Sequence, residues 1–450
     1  MKKYQISIQY FFFLFLISAP ALATVTSSGS RDVVKKRLLG DGFHRLPLDI
    51  ESSEYDSWMT FLRFRSDAGP EVLEDVVTEE SVVQFLIKKG SRNAEFLKFI
   101  NATKAPGTEL AFTSSELQKN SGIPIDKPKT YSPALLQTQL KELQQTIPTQ
   151  LKDIILGVSS FVYPLSVNDE EYLKWARQID KMYQTAARWK MMEPYLEYLA
   201  QRKSEDIRGY YFLKKEDSLE NKLVEWGSLN SADQERLTGH LDGLCWQSAN
   251  QTACSAQLRQ SLAQYAQDPQ AIRSFYLQRV SAAESIYKGF FNLQNPRPEA
   301  IWKASDPMTM KFPFRDPNDS AIRAFLKDNI EDEWKFMSWR LIMDFIPTAP
   351  VSIVFQPGVT PHVNALGGDT ITMDSNQPMS EFGTQWTIRH EFGHVLGLPD
   401  CYIEFYDKAK KEMVSYQIDI ANLMCSRAGH LQQLHVDELK KYYFKSSVEL

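Results

Sequence analysis

The stretch His390-Glu391-Phe392-Gly393-His394-Val395-Leu396-Gly397-Leu398-Pro399-Asp400 constrains this chain more than any other. Histidines four residues apart lie on one face of an α-helix, so both imidazoles reach a single metal ion. Glu391 cannot easily ligate the ion its neighbour holds. It is placed instead to take a proton from an attacking water and pass it to a leaving amine, the arrangement a zinc-dependent hydrolase needs. Two core or surface histidines and a salt-bridged glutamate are the bland alternative, and the joint spacing argues against it. Gly397 stands where the helix must end for the chain to return to the metal, and glycine accepts the left-handed backbone this requires. Asp400 follows as the expected third ligand, since zinc takes carboxylate oxygen beside imidazole nitrogen. The alternative is a capping aspartate, with Glu404, Asp407 or His430 completing a site for one Zn2+ ion.

These residues resemble the metzincin metallopeptidases, whose motif is His-Glu-x-x-His-x-x-Gly-x-x-His or Asp followed by a methionine turn. The first part matches at His390, Glu391, His394, Gly397 and Asp400, and the second at Asn422-Leu423-Met424-Cys425. Aspartate as third ligand is closest to the snapalysin-like branch, small secreted bacterial neutral proteases. The resemblance covers residues 296–450 and is detailed over only the motif and the turn. It implies a catalytic domain with a small twisted sheet, an active-site helix and a C-terminal helix, with Met424 beneath the ligands. It also implies an edge strand that binds extended substrate, for which Asp369 to Met373 is the best candidate. Some relatives carry a tyrosine two residues after the turn methionine. Ser426 stands there in this chain, so the oxyanion partner and the substrate-binding residues are left unassigned.

The rest of the chain sets the context. A length of 450 residues predicts two or three domains, and 43% hydrophobic with 24% charged residues is a globular composition. A net charge of −5, with no aromatic-basic patch, gives no reason to expect nucleic acid. Lys2 and Lys3, the apolar run from Tyr10 to Ile17, and Ala21-Leu22-Ala23 read as a signal peptide over residues 1–23. That predicts a secreted or periplasmic protein without stable membrane insertion, and the short leader with the resemblance points to a bacterial source. Four cysteines then fit two disulfides, most simply Cys245–Cys254 and Cys401–Cys425. Cys401 as a metal ligand is the weaker reading.

Four segments follow from the patterns. Residues 24–130 form an N-terminal segment and a candidate pro-region, with short helices on either side of Lys89-Gly90-Ser91 and an exposed linker at 101–133. Gly40-Asp41 loosely resembles an astacin-like zymogen switch, though a tight turn explains it better. Residues 131–295 read as an α-helical domain, with apolar stripes at Leu135, Leu136, Leu140 and Leu143, at Tyr172 to Trp189, and at Ile272 to Ala283. Asn295-Pro296-Arg297-Pro298 marks the boundary to the domain at 296–450. The fold class expected is α+β, a metzincin-like catalytic domain preceded by a mainly helical region. The function expected is a secreted zinc metalloendopeptidase acting on protein or peptide substrates. A binding or adhesion protein with a structural or vestigial zinc site is the alternative, and oligomeric state is not readable.

Overall fold

The computed structural model describes residues 79–105, 107–119, 121–157, 168–249 and 253–445. The signal peptide and the Gly40-Asp41 pair lie outside the described residues. Among these residues the architecture is mixed α and β, built around three apolar cores.

The first core is helical. It joins α1 (Glu79–Ala102), β1 (Lys129–Tyr131), α3 (Pro133–Thr146), α4 (Thr149–Leu156) and α5 (Asp169–Met192), chiefly through Leu86, Phe96, Leu136, Leu151, Tyr172 and Ile179, while the short α2 (Ser115–Lys119) between α1 and β1 stays outside it. Helix α3 starts as its sequence predicts, with Ser132 Oγ accepting from Leu135 N–H and proline in the first turn. Asn168 caps α5 in the same way, and Asp169, Glu170 and Glu171 sit at the positive end of its dipole. Helix α1 is one element, not two helices broken at Lys89-Gly90-Ser91. Gly90 has low helix propensity, but a Cβ there would lie 2.2 Å from Tyr183 Cβ, so the glycine is where α1 and α5 pack most closely.

After α6 (Leu196–Gln201), whose Leu199 still belongs to the first core, the second core is also helical, built from α7 (Arg208–Lys214), α8 (Leu219–Val224), α9 (Ser231–Ala249), α10 (Cys254–Gln264) and α11 (Ala271–Gly289). The Cys245–Cys254 disulfide ties α9 to α10.

The third core belongs to the sheets. Strands β2 (Ile301–Lys303), β3 (Thr309–Arg315), β4 (Lys335–Phe336) and β5 (Trp339–Ile346) precede β6 (Ser352–Gln356), β7 (His362–Val363) and β8 (Thr370–Asp374). The short helix α12 (Ser320–Leu326) starts at Asp319, whose carboxylate accepts from Ala321 and Ile322 N–H. Helix α13 (Phe382–Val395) carries the histidines. After it come the hairpin β9 (Tyr402–Asp407) and β10 (Glu412–Gln417), then α14 (Gln433–Tyr443) and β11 (Phe444–Lys445). The sheet orders are β11-β2-β3-β5-β4, β6-β8-β7 and β1-β10-β9, with β3 and β5 parallel over seven residue pairs. Phe312 and Trp334 both stack edge-on against Phe392, which seats α13 on this core.

Two further expectations differ from the fold. Residues 101–133 are not an exposed linker. Phe112 is buried in the first core and Ile125 in the third, and β1 pairs antiparallel with β10 from Lys129↔Ser415 to Tyr131↔Met413. Isolated apolar anchors among polar residues carry no periodicity, so the sequence pattern hides this packing. Second, the strand at Thr370–Asp374 is not an edge: β6 pairs on one side and β7 on the other. Its β-branched residues fix the strand but not its neighbours. Among the described residues no helix is long and apolar enough to cross a membrane.

Candidate metal centre

Helix α13 is anchored at both ends. At its start Thr113 Oγ1 accepts from Gly383 N–H at 2.9 Å, while the Glu381 carboxylate accepts from the N–H groups of Phe112 and Thr113 at 2.6 and 3.0 Å. At its end Gly397 adopts φ +84°, and Gly397 and Leu398 N–H donate back to the carbonyls of His394 and Gly393. A Cβ on Gly397 would also meet Gln294 O at 2.0 Å, so glycine is required for space as well as for φ. Beyond it, Cys401 N–H donates to Met424 O at 3.0 Å and the Cys401–Cys425 disulfide locks the two segments together. Asp400 is therefore delivered to the helix by a covalently fixed loop.

The three donor atoms form a near-equilateral triangle. His390 Nε2 and His394 Nε2 are 3.2 Å apart, and each is 3.1 Å from Asp400 Oδ1. A tetrahedral zinc ion with bonds of about 2.0–2.1 Å separates its ligand atoms by about 3.3 Å, so the triangle fits one face of such a site. The second nitrogens are already used: His390 Nδ1 faces Leu423 O at 2.8 Å and His394 Nδ1 faces Leu398 O at 2.9 Å. With Nδ1–H donating to these carbonyls, both Nε2 lone pairs point into the triangle. This buried group could hold a metal ion.

No family model, curated protein or solved structure matches this chain.

The electrostatics favour a positive charge at the centre. Burial disfavours a charged His394, but the Asp400 carboxylate, its hydrogen bond and Glu391 outweigh burial and push the imidazole up to about 9. Burial likewise opposes ionisation of Asp400, and the two imidazoles overcome it and hold the carboxyl well below the usual carboxylate range.

Glu391 is buried beside His390 and lines a cavity of about 550 Å3. Met424 is buried under the helix, and a Cβ on Gly393 would meet its Sδ at 2.2 Å. The alternative ligands are occupied elsewhere. Glu404 pairs with Arg188 and accepts from Tyr131 OH, Asp407 caps the β9–β10 turn, and His430 faces Glu333. Cys401 is in its disulfide. Ser426 Oγ accepts from Ala428 N–H within its own turn.

The sequence reading missed several residues of this cavity. Tyr402, two residues beyond Asp400, lines it with its ring stacked near His390. Burial, and then the Asp400 carboxylate, raise its phenol, so it stays protonated. Asp400 lies in the loop before β9, so no strand alternation in the sequence ties Tyr402 to it. Arg188 and its neighbours on α5 form another wall with β1, and more than 200 residues separate them from the motif, so no local pattern points to them.

Proposed function

We propose that this chain is a zinc-dependent metalloendopeptidase of metzincin type. The observation that carries the reading is the triangle of His390, His394 and Asp400 donors at the edge of a cavity that His390 and Glu391 line. A zinc ion held there would polarise the scissile carbonyl and lower the pKa of the attacking water. Glu391 takes the proton from that water and delivers it to the leaving amine. Tyr402, held protonated, donates to the oxygen on which negative charge develops. The carbonyls of Leu423 and Leu398 keep both imidazoles in the ligand-ready tautomer. The metzincin assignment rests on the same residues together with Met424 against Gly393. Two disulfides support an extracytoplasmic location.

In this reading the helical region shapes the cavity in which a substrate would sit. Helix α5 and β1 line the cavity, and α5 is joined to the sheet side by Arg188 with Glu404, by the buried pair Tyr183 with Asp374, and by Asp180 with Gln377 at 2.9 Å. The test is hydrolysis of quenched peptides or casein with chelator and after zinc is returned, in the wild type and in Asp400→Ala. Activity that chelation abolishes and zinc restores, and that Asp400→Ala lacks at equimolar zinc, supports the proposal. A zinc-loaded wild type that cleaves nothing supports instead a binding protein with a vestigial site.

A further inference from the structure

The charged residues lining the cavity are unevenly committed. Its carboxylates other than Glu391 are used up. Asp374 accepts from Tyr183 OH, Gly358 N–H and Asn376 N–H, Glu381 holds the main chain at Phe112 and Thr113, and Glu404 is paired with Arg188. The cations are not: Lys129, Lys181 and Arg427 line the same cavity, and none has a carboxylate within ion-pair distance among the described residues. Although the whole chain carries −5, the uncommitted charge of this wall is positive.

Arg427 is the cation tied most directly to the reacting centre. Its Nη1 donates to Thr387 Oγ1 at 3.0 Å, and Thr387 lies one helical turn before Glu391 on α13. The Thr387 hydroxyl donates to Gly383 O at 2.6 Å, which turns its lone pairs toward the guanidinium. One corner of the guanidinium is thus fixed, and among the described residues the Nε–Nη2 edge of this cavity-lining side chain has no hydrogen-bond partner. Arg389, on the same helix, is in contrast already paired with Glu333. A planar guanidinium held at one corner presents two parallel donors, which suits a carboxylate better than any neutral group.

We infer that Arg427 selects peptides carrying a carboxylate side chain next to the bond that is cut. The inference rests on the peptidase reading and names the substrate class of that site. Lys129 and Lys181, further along the wall, reinforce the field without fixing a position.

The test uses the full zinc-loaded protein and quenched peptides identical except for Glu, Gln or Lys at each residue flanking the cleaved bond. At one flanking position the Glu peptide should exceed the Gln peptide in kcat/KM by about 10- to 100-fold, the size of a charge-assisted hydrogen bond, with the difference mainly in KM. In Arg427→Gln the Glu-to-Gln ratio should fall to near one. In Arg427→Glu the preference should pass to the Lys peptide, a gain that misfolding cannot mimic. Equal kcat/KM for Glu and Gln peptides at both positions, or a Glu preference that survives Arg427→Gln, overturns the inference and leaves the peptidase reading standing. Failure of the wild type to cleave any peptide overturns both.

Discussion

The ion pair between Arg188 and Glu404 offers a sharp test of how the helical region is joined to the part of the chain that carries the candidate metal site. Glu404 sits on β9, the strand that begins just after Asp400, and its side chain is only 5% exposed. Arg188 Nε lies 3.1 Å from Oε2, Nη2 bonds the same oxygen, and Tyr131 OH from β1 donates to Oε1. Removing the cation alone, as in Arg188→Met, strands a buried carboxylate and should cost about 3–5 kcal/mol. Replacing both partners, Arg188→Met with Glu404→Leu, removes the desolvation penalty together with the attraction and should fall within about 1 kcal/mol of the wild type. With the Glu404→Leu single variant completing the double-mutant cycle, the coupling should then be at least about 2 kcal/mol. Urea unfolding followed by tryptophan fluorescence and circular dichroism supplies the free energies, provided the m-values agree. The reasoning is refuted if Arg188→Met costs less than 1 kcal/mol, or if the double variant is as unstable as the single one.

Three further outcomes are expected. Gly393→Ala puts a Cβ 2.2 Å from Met424 Sδ and 3.3 Å from Trp334 Cζ2. It should cost about 1–3 kcal/mol and weaken zinc binding, because Leu423 in the same turn orients His390, and an unchanged Tm and zinc affinity would count against the role of Met424. Burial lowers His435 to about 4, and its ring, accepting from Gln432 N–H and facing Asn422 Oδ1, braces the methionine turn. Neutral in the folded state and titrating near 6.5 when unfolded, it contributes its full stability above about pH 6.5 and loses up to ~3 kcal/mol as pH falls toward 4. Urea denaturation across that window should show the slope, and His435→Gln should flatten it. Asp400→His removes one negative charge from the ligand set and makes the metal a stronger Lewis acid, so the acidic limb of the pH–rate profile should move to lower pH, and an identical limb in the two proteins would rule this out.

The local half of this account was legible in the sequence because local rules produce it. Helical spacing brings His390 and His394 together, a glycine with positive φ turns the chain at Gly397, and both disulfides pair the cysteines nearest in sequence. Caps at Ser132 and Asp319 were likewise readable from side-chain chemistry. What escaped depends on contacts between distant segments. Gly90 reads as a helix break until Tyr183 is seen against it, and residues 101–133 read as a linker until Ile125 is found in the sheet core. The sequence reading did not single out the β9–β10 hairpin, whose burial pattern does not alternate because the helical region covers part of its outer face. Consequently Tyr402, Arg188 and Arg427 come into view only when the cavity is assembled.

The central claim is that one zinc ion on His390, His394 and Asp400, served by Glu391, hydrolyses peptide bonds. Its most direct test measures zinc content and peptide turnover on the same samples of wild type and Glu391→Gln. The account predicts one zinc per chain in both proteins, turnover in the wild type, and a loss of about 100-fold or more in the variant, the scale of a removed general base. Equal turnover in the two proteins at equal zinc content would contradict it.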